Sequence, residues 1–161
     1  MKTYTINNQS DLEQFKDEYG YSVNGNLNVK CSLDIEKRLY VEGYLSIKAG
    51  WYIEAGEYIK AGGYIEAGGS IEAGGSYGIS AGLYITCKER LEFGLKCFAG
   101  ICTWRKISDE EKTITCGKFE GGVVEYGILK EIGMENNKIK IICEGKTVEI
   151  SRESAKALNL I

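Results

Sequence analysis

The 161-residue chain has no histidine, no apolar run long enough to cross a bilayer and little excess charge. Without histidine a zinc site would need four thiolates, and the six cysteines include no Cys-x-x-Cys pair, so we predict neither a metal site nor a cofactor. The net charge of −3 gives no general attraction to nucleic acid or to a membrane surface. Polar residues 7–11 follow the first residues where a signal peptide would be apolar, and we expect a cytoplasmic protein.

Catalytic groups are equally scarce. The sequence contains no Gly-rich phosphate loop and no pairing of a nucleophile with a base. Cys31, Cys87 and Cys97 fall on the alternation of the buried aliphatic residues, where a thiol behaves as a small hydrophobe. We therefore expect free structural thiols and no enzyme activity.

The dominant pattern is an aliphatic residue at every sixth position from residue 23 to residue 71. Its members are Val23, Val29, Ile35, Val41, Ile47, Ile53, Ile59, Ile65 and Ile71. Alternation of inward and outward residues continues through this stretch without turn residues, so the chain has to turn a corner within each hexapeptide. The pattern predicts an all-β solenoid (a β-helix) of about four triangular coils, each of 18 residues.

Two further features refine the coil. One two-residue insertion is predicted around Ser76-Tyr77, where the spacing between aliphatic residues rises to eight. Glycine recurs at positions 50, 56, 62, 68 and 74, which predicts a backbone with φ > 0 at the corners. Trp51 has inward parity and is predicted to lie over Leu33 and beside Gly69.

We predict three segments. Residues 1–22 form an N-terminal cap, with a short strand at 3–6 and a helix whose N-cap is Ser10, whose capping-box partner is Glu13 and whose end is Gly20. Such a cap protects the first coil, which would otherwise expose unpaired strand edges. Residues 23–101 form the solenoid.

The third segment, residues 102–161, reads as a small α+β element. It contains a charged loop or one helical turn at 108–111, strands at 112–129 and 138–150, and turns at 136–137 and 144–146. Ser151 is the predicted N-cap of a last helix over 152–158.

Two sets of outward side chains are candidate binding residues. With 18-residue coils, Glu36, Glu54 and Glu72 stack on one face, and Lys48 lies over Glu66 on another. The three glutamates serve either solubility alone or an acidic stripe that engages a basic groove. Such a groove could be one that normally holds nucleic acid.

The other set is aromatic. Tyr40 is predicted to stack on Tyr58 and Tyr64 on Tyr84, with Tyr52 also outward. Stacked rings either stiffen coils made largely of Ala and Gly or form a contact surface. Tyrosine beside glutamate favours a protein partner, whereas tyrosine beside lysine or arginine would favour single-stranded nucleic acid.

The units Gly63-Tyr-Ile-Glu-Ala67 and Gly69-Ser-Ile-Glu-Ala73 resemble those of the bactofilins, bacterial scaffold proteins that polymerise. The six-residue period also resembles that of the hexapeptide-repeat acyltransferases. That second resemblance implies a histidine base and an acyl-thioester cofactor, and this chain has no histidine.

We therefore expect a non-catalytic module that engages or occludes a protein or nucleoprotein complex through a flat Tyr/Glu face. An inhibitor from a phage or mobile element, such as an anti-CRISPR protein, is one instance of that class. We expect neither membrane binding nor direct binding of nucleic acid. The sequence is compatible with a homodimer. The alternatives are a bactofilin-like polymerising scaffold and, less favoured, an acyltransferase-like enzyme.

Overall fold

The structure, a computed structural model, describes residues 1–132 and the strands Lys138–Cys143 and Lys146–Ser151. The chain divides into two units, Met1–Glu131 and Ile132–Ile161. In the second unit the two strands pair antiparallel, as predicted for 138–150. The predicted turn at 136–137, most of that at 144–146 and the helix at 152–158 lie outside the described residues. Among the described residues, no helix is long and apolar enough to cross a membrane.

The first unit consists of short strands joined by tight corners. In chain order they are β1 Thr3–Ile6, β2 Lys16–Asp17, β3 Gly20–Val23, β4 Asn26–Val29, β5 Leu33–Ile35, β6 Arg38–Val41, β7 Leu45–Ile47, β8 Ile53–Ala55, β9 Ile59–Ala61, β10 Ile65–Ala67, β11 Ile71–Ala73, β12 Ile79–Ala81, β13 Ile85–Cys87, β14 Arg90–Ala99, β15 Thr113–Cys116, β16 Lys118–Tyr126 and β17 Ile128–Glu131. We label the strands of the second unit β18 and β19.

Every third strand stacks in parallel on the one below, and this makes three faces. Face 1 is β1-β4-β7-β10-β13-β15-β17. Face 2 is β5-β8-β11 followed by the first parts of β14 and β16, and face 3 is β3-β6-β9-β12 followed by their second parts. The predicted β-solenoid is thus confirmed, with about five turns.

Each short strand sends two side chains inward. In β4 to β7 both are large, as with Leu27 and Val29 of β4, whereas from β8 to β12 an isoleucine is followed by an alanine. All of these inward residues are buried, and they form one continuous hydrophobic core. Burial of this apolar surface is the main stabilising term of the fold.

Between β3 and β14 the coils contain 18 or 20 residues rather than a uniform 18. Leu45 pairs with Leu27, 18 residues earlier, whereas Ile65 pairs with Leu45, 20 residues earlier. The reason is a second insertion, at residues 48–52, in addition to the predicted one near Ser76-Tyr77. The six-residue spacing of Ile47 and Ile53 conceals it, because Ile47 is the second inward residue of its strand and Ile53 is the first.

This insertion overturns the predicted position of Trp51. Its side chain is 42% exposed instead of buried, and Leu33 pairs with Ile53. The predicted proximity to Gly69 does hold, because the Gly69 N–H donates to the Trp51 carbonyl at 2.9 Å.

The corner glycines are needed for close approach between coils rather than for positive φ. Of the five predicted positions only Gly50 has such a φ, at +85°. At Gly62 a Cβ would lie 2.0 Å from the Glu42 carbonyl oxygen of the coil below. The Gly62 N–H meanwhile donates to the Val41 carbonyl at 2.9 Å. Glycine is required because the corner backbones of successive coils touch.

The N-terminal segment is an incomplete coil that closes one end of the stack. Strand β1 lies on face 1 and β3 on face 3, and a 3₁₀ helix over Gln9–Phe15 lies between them in the chain. Leu12 of this helix is fully buried against the core. The N-cap is Asn8 and its capping-box partner is Asp11, so the prediction of Ser10 and Glu13 is wrong by two residues. The predicted end at Gly20 is also wrong, because the helix ends at Phe15 with Lys16 as its C-cap, and Gly20 begins β3.

The stack also continues beyond residue 101, the predicted end of the solenoid. Residues 100–112 form an excursion that includes a 3₁₀ turn at Glu110–Lys112. Strands β15, β16 and β17 then extend the faces by parallel pairing. The glycine rhythm ends at the excursion while the coils do not, because this region uses longer strands.

A charge placed inside the coil should unfold it. We expect Ile59→Asp to lower the free energy of unfolding by about 4 kcal/mol or more, because Ile59 is fully buried and a carboxylate there would have no partner. Lys60→Asp is the control, since the neighbouring position faces outward, and we expect it to cost less than about 1 kcal/mol. Urea unfolding followed by circular dichroism measures both, and similar losses would contradict the inward assignment of Ile59.

The corner glycines allow a second test. We expect Gly62→Ala to destabilise the protein by about 1–3 kcal/mol, because the added methyl group meets backbone of the coil below. Gly75→Ala is the matched control, because a Cβ at Gly75 meets no atom within 4 Å. Equal melting temperatures of the two variants would show that close approach between coils does not select glycine.

Candidate acidic binding face

Face 2 carries an unbroken column of outward carboxylates that crosses five strands. Its members pair in register and are Asp34, Glu54, Glu72, Glu92 and Glu120. We call this set the acidic column. Neighbouring members are about 4.8 Å apart along the stack, the spacing of adjacent strands. The predicted stacking of Glu54 and Glu72 is confirmed by their pairing.

Glu36 does not belong to the acidic column. The coil that separates Asp34 from Glu54 has 20 residues, so Asp34 occupies the position that an 18-residue coil would give to Glu36. Glu36 lies at the next corner, with its carbonyl close to Gly56. The same change of register separates Lys48 from Glu66, which pairs with Ser46.

One end of the column is partly compensated by an arginine that reaches three carboxylates. The Arg90 guanidinium donates to Glu72 through Nη2 at 2.8 Å and contacts Glu92 and Glu120 through Nη1 at 3.0 and 3.3 Å. The hydrogen bond to Glu72 is the main reason that the pKa of Arg90 is raised. Lys118 also pairs with Glu120 and lowers the pKa of that carboxyl. We call Glu72, Glu92 and Glu120 the paired end.

The other end, Asp34 and Glu54, has no such cation, and we call it the open end. Within residues 1–132, no side chain forms a salt bridge or a hydrogen bond with either carboxylate or with that of nearby Glu36. All three residues are exposed. Like charges on neighbouring strands repel, so the open end has an uncompensated negative potential.

The open end is held in place by a side chain of the N-terminal helix. Gln9 accepts the Asp34 N–H through Oε1 at 3.1 Å and donates to the Asp34 carbonyl through Nε2 at 2.7 Å. This amide replaces the strand that is missing below β5 and so satisfies an exposed sheet edge. The first acidic residue of the column is therefore fixed by contacts to its backbone, and its carboxylate is left unpaired.

Two large aromatic side chains stand at the corner before Glu54. Trp51 and Tyr52 belong to the insertion at 48–52 and are 42% and 41% exposed. Tyr52 lies in register with Ser32. The Tyr52 N–H donates to the Ser32 Oγ at 3.4 Å, and the Tyr52 carbonyl accepts from the Leu33 N–H. The prediction that Tyr52 faces outward is confirmed.

The predicted tyrosine stack exists at the corner between faces 3 and 1. Tyr64 stacks on Tyr84 with ring centroids 4.9 Å apart, as predicted, and Tyr44 extends the stack below with the same spacing. The planes are within 3° of parallel in both pairs. Burial is the largest cause of the raised pKa of Tyr64 and Tyr84, so both phenols stay neutral. The stack is a stiffening element of the coils.

Tyr40 and Tyr58 do not stack on each other. Tyr40 pairs with Lys60, whose Nζ lies 5.7 Å from the ring centroid, because this coil also has 20 residues. The Tyr58 hydroxyl accepts from Arg38 Nη1 at 2.8 Å, and Arg38 also binds Asp17 at 2.9 Å. These contacts tie the N-terminal coil to the next ones.

A shallow aromatic groove of about 560 Å³ runs beside the tyrosine stack. Its lining includes Tyr40, Tyr44, Tyr64, Leu83 and Trp104. Trp104 comes from the excursion at 100–112 and is 63% exposed. The groove has one acidic residue, Glu42, and is on a different side of the coil from the acidic column.

Three buried thiols are unsuited to nucleophilic chemistry at neutral pH, whereas Cys31, which the alternation predicts to be buried, is only partly so. Cys87, Cys97 and Cys116 are buried inside the coils, and burial raises the pKa of the first two to about 12 and of the third to about 11. A thiol is a nucleophile only as the thiolate, so these groups act as small apolar side chains. Among the described residues, no cluster of three or more His, Cys, Asp or Glu side chains has the geometry of a metal site.

Comparisons with family models, curated proteins and solved structures find no match to this chain. The candidate site therefore depends on its own geometry. Sequence reasoning found Glu54, Glu72 and Tyr52 on this face but missed Asp34, Trp51 and Arg90. The only signal for them was the change from paired large residues to Ile-x-Ala after residue 47.

Removing Arg90 tests whether it compensates the paired end. We expect Arg90→Met to lower the urea midpoint of unfolding at low salt, because Glu72 and Glu92 then lose their cation and only Glu120 keeps one, Lys118. The loss should shrink at high salt, which screens the repulsion, and Glu92→Gln in the same chain should partly restore stability. A loss that is equal at both salt concentrations would mean that Arg90 contributes packing rather than charge.

Proposed function

We propose that the protein is a non-catalytic binding module that engages a macromolecular partner through the open end of the acidic column. The observation that carries this proposal is the division of the column. The chain partly compensates the paired end with Arg90 and Lys118 but leaves Asp34 and Glu54 exposed beside Trp51 and Tyr52. The carboxylates repel one another at the open end, whereas cations of the chain relieve this repulsion at the paired end. Such a division is expected where a partner provides the missing positive charge.

The composition of the open end fits a protein interface. Exposed tryptophan and tyrosine supply large rigid contact area and are the residue types most often found as energetic hot spots. The strands of face 2 fix the spacing of the backbone positions that carry the carboxylates, so binding requires no reordering of the backbone. The negative charge favours a basic partner surface and opposes direct contact with nucleic acid.

The specific form of this proposal is an inhibitor that covers a basic groove of a nucleic-acid-binding protein or nucleoprotein complex. A rigid column of carboxylates can compete for positive charges that otherwise contact phosphates. Inhibitors of phage or mobile-element origin, including anti-CRISPR proteins, belong to this class. The N-terminal 3₁₀ helix, with Leu12 buried on the core, covers that end of the stack, which is why we rank a polymerising scaffold second.

Charge reversal at the open end tests the proposal. We expect Asp34→Lys with Glu54→Lys to reduce recovery of the partner in quantitative affinity capture by about tenfold or more. The melting temperature should be unchanged or slightly raised, because the substitutions relieve repulsion within the column.

The matched control is Glu42→Lys with Glu66→Lys, which makes the same change in net charge away from face 2. It should retain the partners that the open-end variant loses. Equal recovery by wild type and both variants would contradict the proposal, and so would loss with the control alone.

A further inference from the structure

The acidic column pairs with two cations of the chain, Arg90 and Lys118, and of the two it is the guanidinium that bridges several carboxylates. One guanidinium reaches Glu72, Glu92 and Glu120, which lie on three successive strands, at 2.8 to 3.3 Å. A planar fork of N–H donors can bridge carboxylates separated by the strand spacing, whereas an ammonium group is a point charge with a smaller reach. The column geometry therefore suits guanidinium in particular.

Arg90 belongs to a second column of outward residues on face 2. Each member of this column immediately precedes, in the sequence, the first inward residue of its strand. The members of this second column are Ser32, Tyr52, Ser70, Arg90 and Lys118. At the paired end this column supplies cations. At the open end it supplies Tyr52, an exposed ring next to Glu54, with the small Ser32 below.

The open end thus has the carboxylates and lacks the cation. Asp34 and Glu54 pair in register on adjacent strands, as Glu72 and Glu92 do. The Tyr52 ring offers a face on which a guanidinium can stack as a cation–π contact.

A groove beside the open end has room for the rest of an arginine-bearing segment. It measures about 480 Å³, and Gln9, Tyr21, Asp34 and Glu36 are among its lining residues. Two lysines also line it; the charge of Lys16 is paired, whereas that of Lys37 is not, because its acceptor is a backbone carbonyl. Lys16 binds Glu13 at 3.0 Å and Lys37 donates to the Glu18 carbonyl at 3.2 Å.

We propose that the open end is an arginine receptor. An arginine of the partner protein places its guanidinium between Asp34 and Glu54 and against Tyr52, in the arrangement that Arg90 has within the chain. This inference rests on the proposed function and deepens it by naming the partner's residue. Lysine binds more weakly at this site, because it cannot bridge the two carboxylates and stack at once.

The test uses two capped peptides, one of six arginines and one of six lysines, titrated into the ¹⁵N-labelled full chain and followed by NMR. We expect the arginine peptide to bind about fivefold or more tightly than the lysine peptide, with the largest amide shifts in residues 32–36 and 52–56. Asp34→Asn with Glu54→Gln should weaken binding of the arginine peptide by about tenfold, and Tyr52→Ala by about threefold.

Glu42→Gln with Glu66→Gln is the control, because it removes the same charge elsewhere and should weaken binding by less than about twofold. Equal affinities for the two peptides, or equal weakening by the control, would overturn the arginine receptor and show diffuse charge attraction instead. If the open-end lysine variant loses its captured partner while the peptides show no arginine preference, the binding face stands and the receptor fails. If the preference is present but capture is unchanged, the site chemistry stands and the proposed function fails.

Discussion

The distance between successive coils is the constraint on which the rest of this structure depends. Backbone hydrogen bonds continue around the corners as well as along the strands, as where Gly62 donates to Val41 and Gly82 to Ala61. A Cβ at either glycine would lie within 2.0 Å of a carbonyl oxygen below. The coils therefore stack at strand spacing at these corners as well as along the strands, and each short strand adds two side chains to the core.

Stacking at this spacing turns single residues into columns. Where the same side chain stacks favourably on itself, each further coil adds a stabilising contact, as in Tyr44, Tyr64 and Tyr84, whose rings lie 4.9 Å apart. Where the same charge recurs in each coil, neighbouring side chains repel. The acidic column therefore needs a cation, either from the chain itself or from a partner. Arg90 compensates three of the five members, and the two that stay uncompensated define the open end.

The strict alternation of inward residues predicts the architecture well. Inward positions are apolar on all three faces of the coil, because a buried position cannot carry an unpaired charge, and so the alternation is visible along the sequence. The register across coils is harder to predict. The insertion at 48–52 changes which inward position carries the isoleucine, so the six-residue period passes through it without a visible break. The signal of the change is the switch from paired large inward residues to Ile-x-Ala after residue 47, and the exposed Trp51 agrees with it, since a ring of that size does not fit beside the alanines of a narrow coil.

One shift of two residues accounts for most of the errors in the predicted site. It replaces Glu36 by Asp34 in the acidic column and separates Tyr40 from Tyr58. The role of Arg90 could not be predicted either, because it depends on which outward column faces which carboxylates after both insertions. By contrast the stacking of Tyr64 on Tyr84 is predicted correctly, because the insertion between them, near Ser76-Tyr77, visibly interrupts the six-residue period.

The central claim is the register that brings Asp34, rather than Glu36, beside Glu54. Inter-strand NOEs between backbone protons in the ¹⁵N- and ¹³C-labelled protein measure it directly. The structure predicts contacts between Asp34 and Glu54 and between Glu54 and Glu72. Contacts from Glu36 to Glu54 would instead mean uniform 18-residue coils, and they would remove the open end as described.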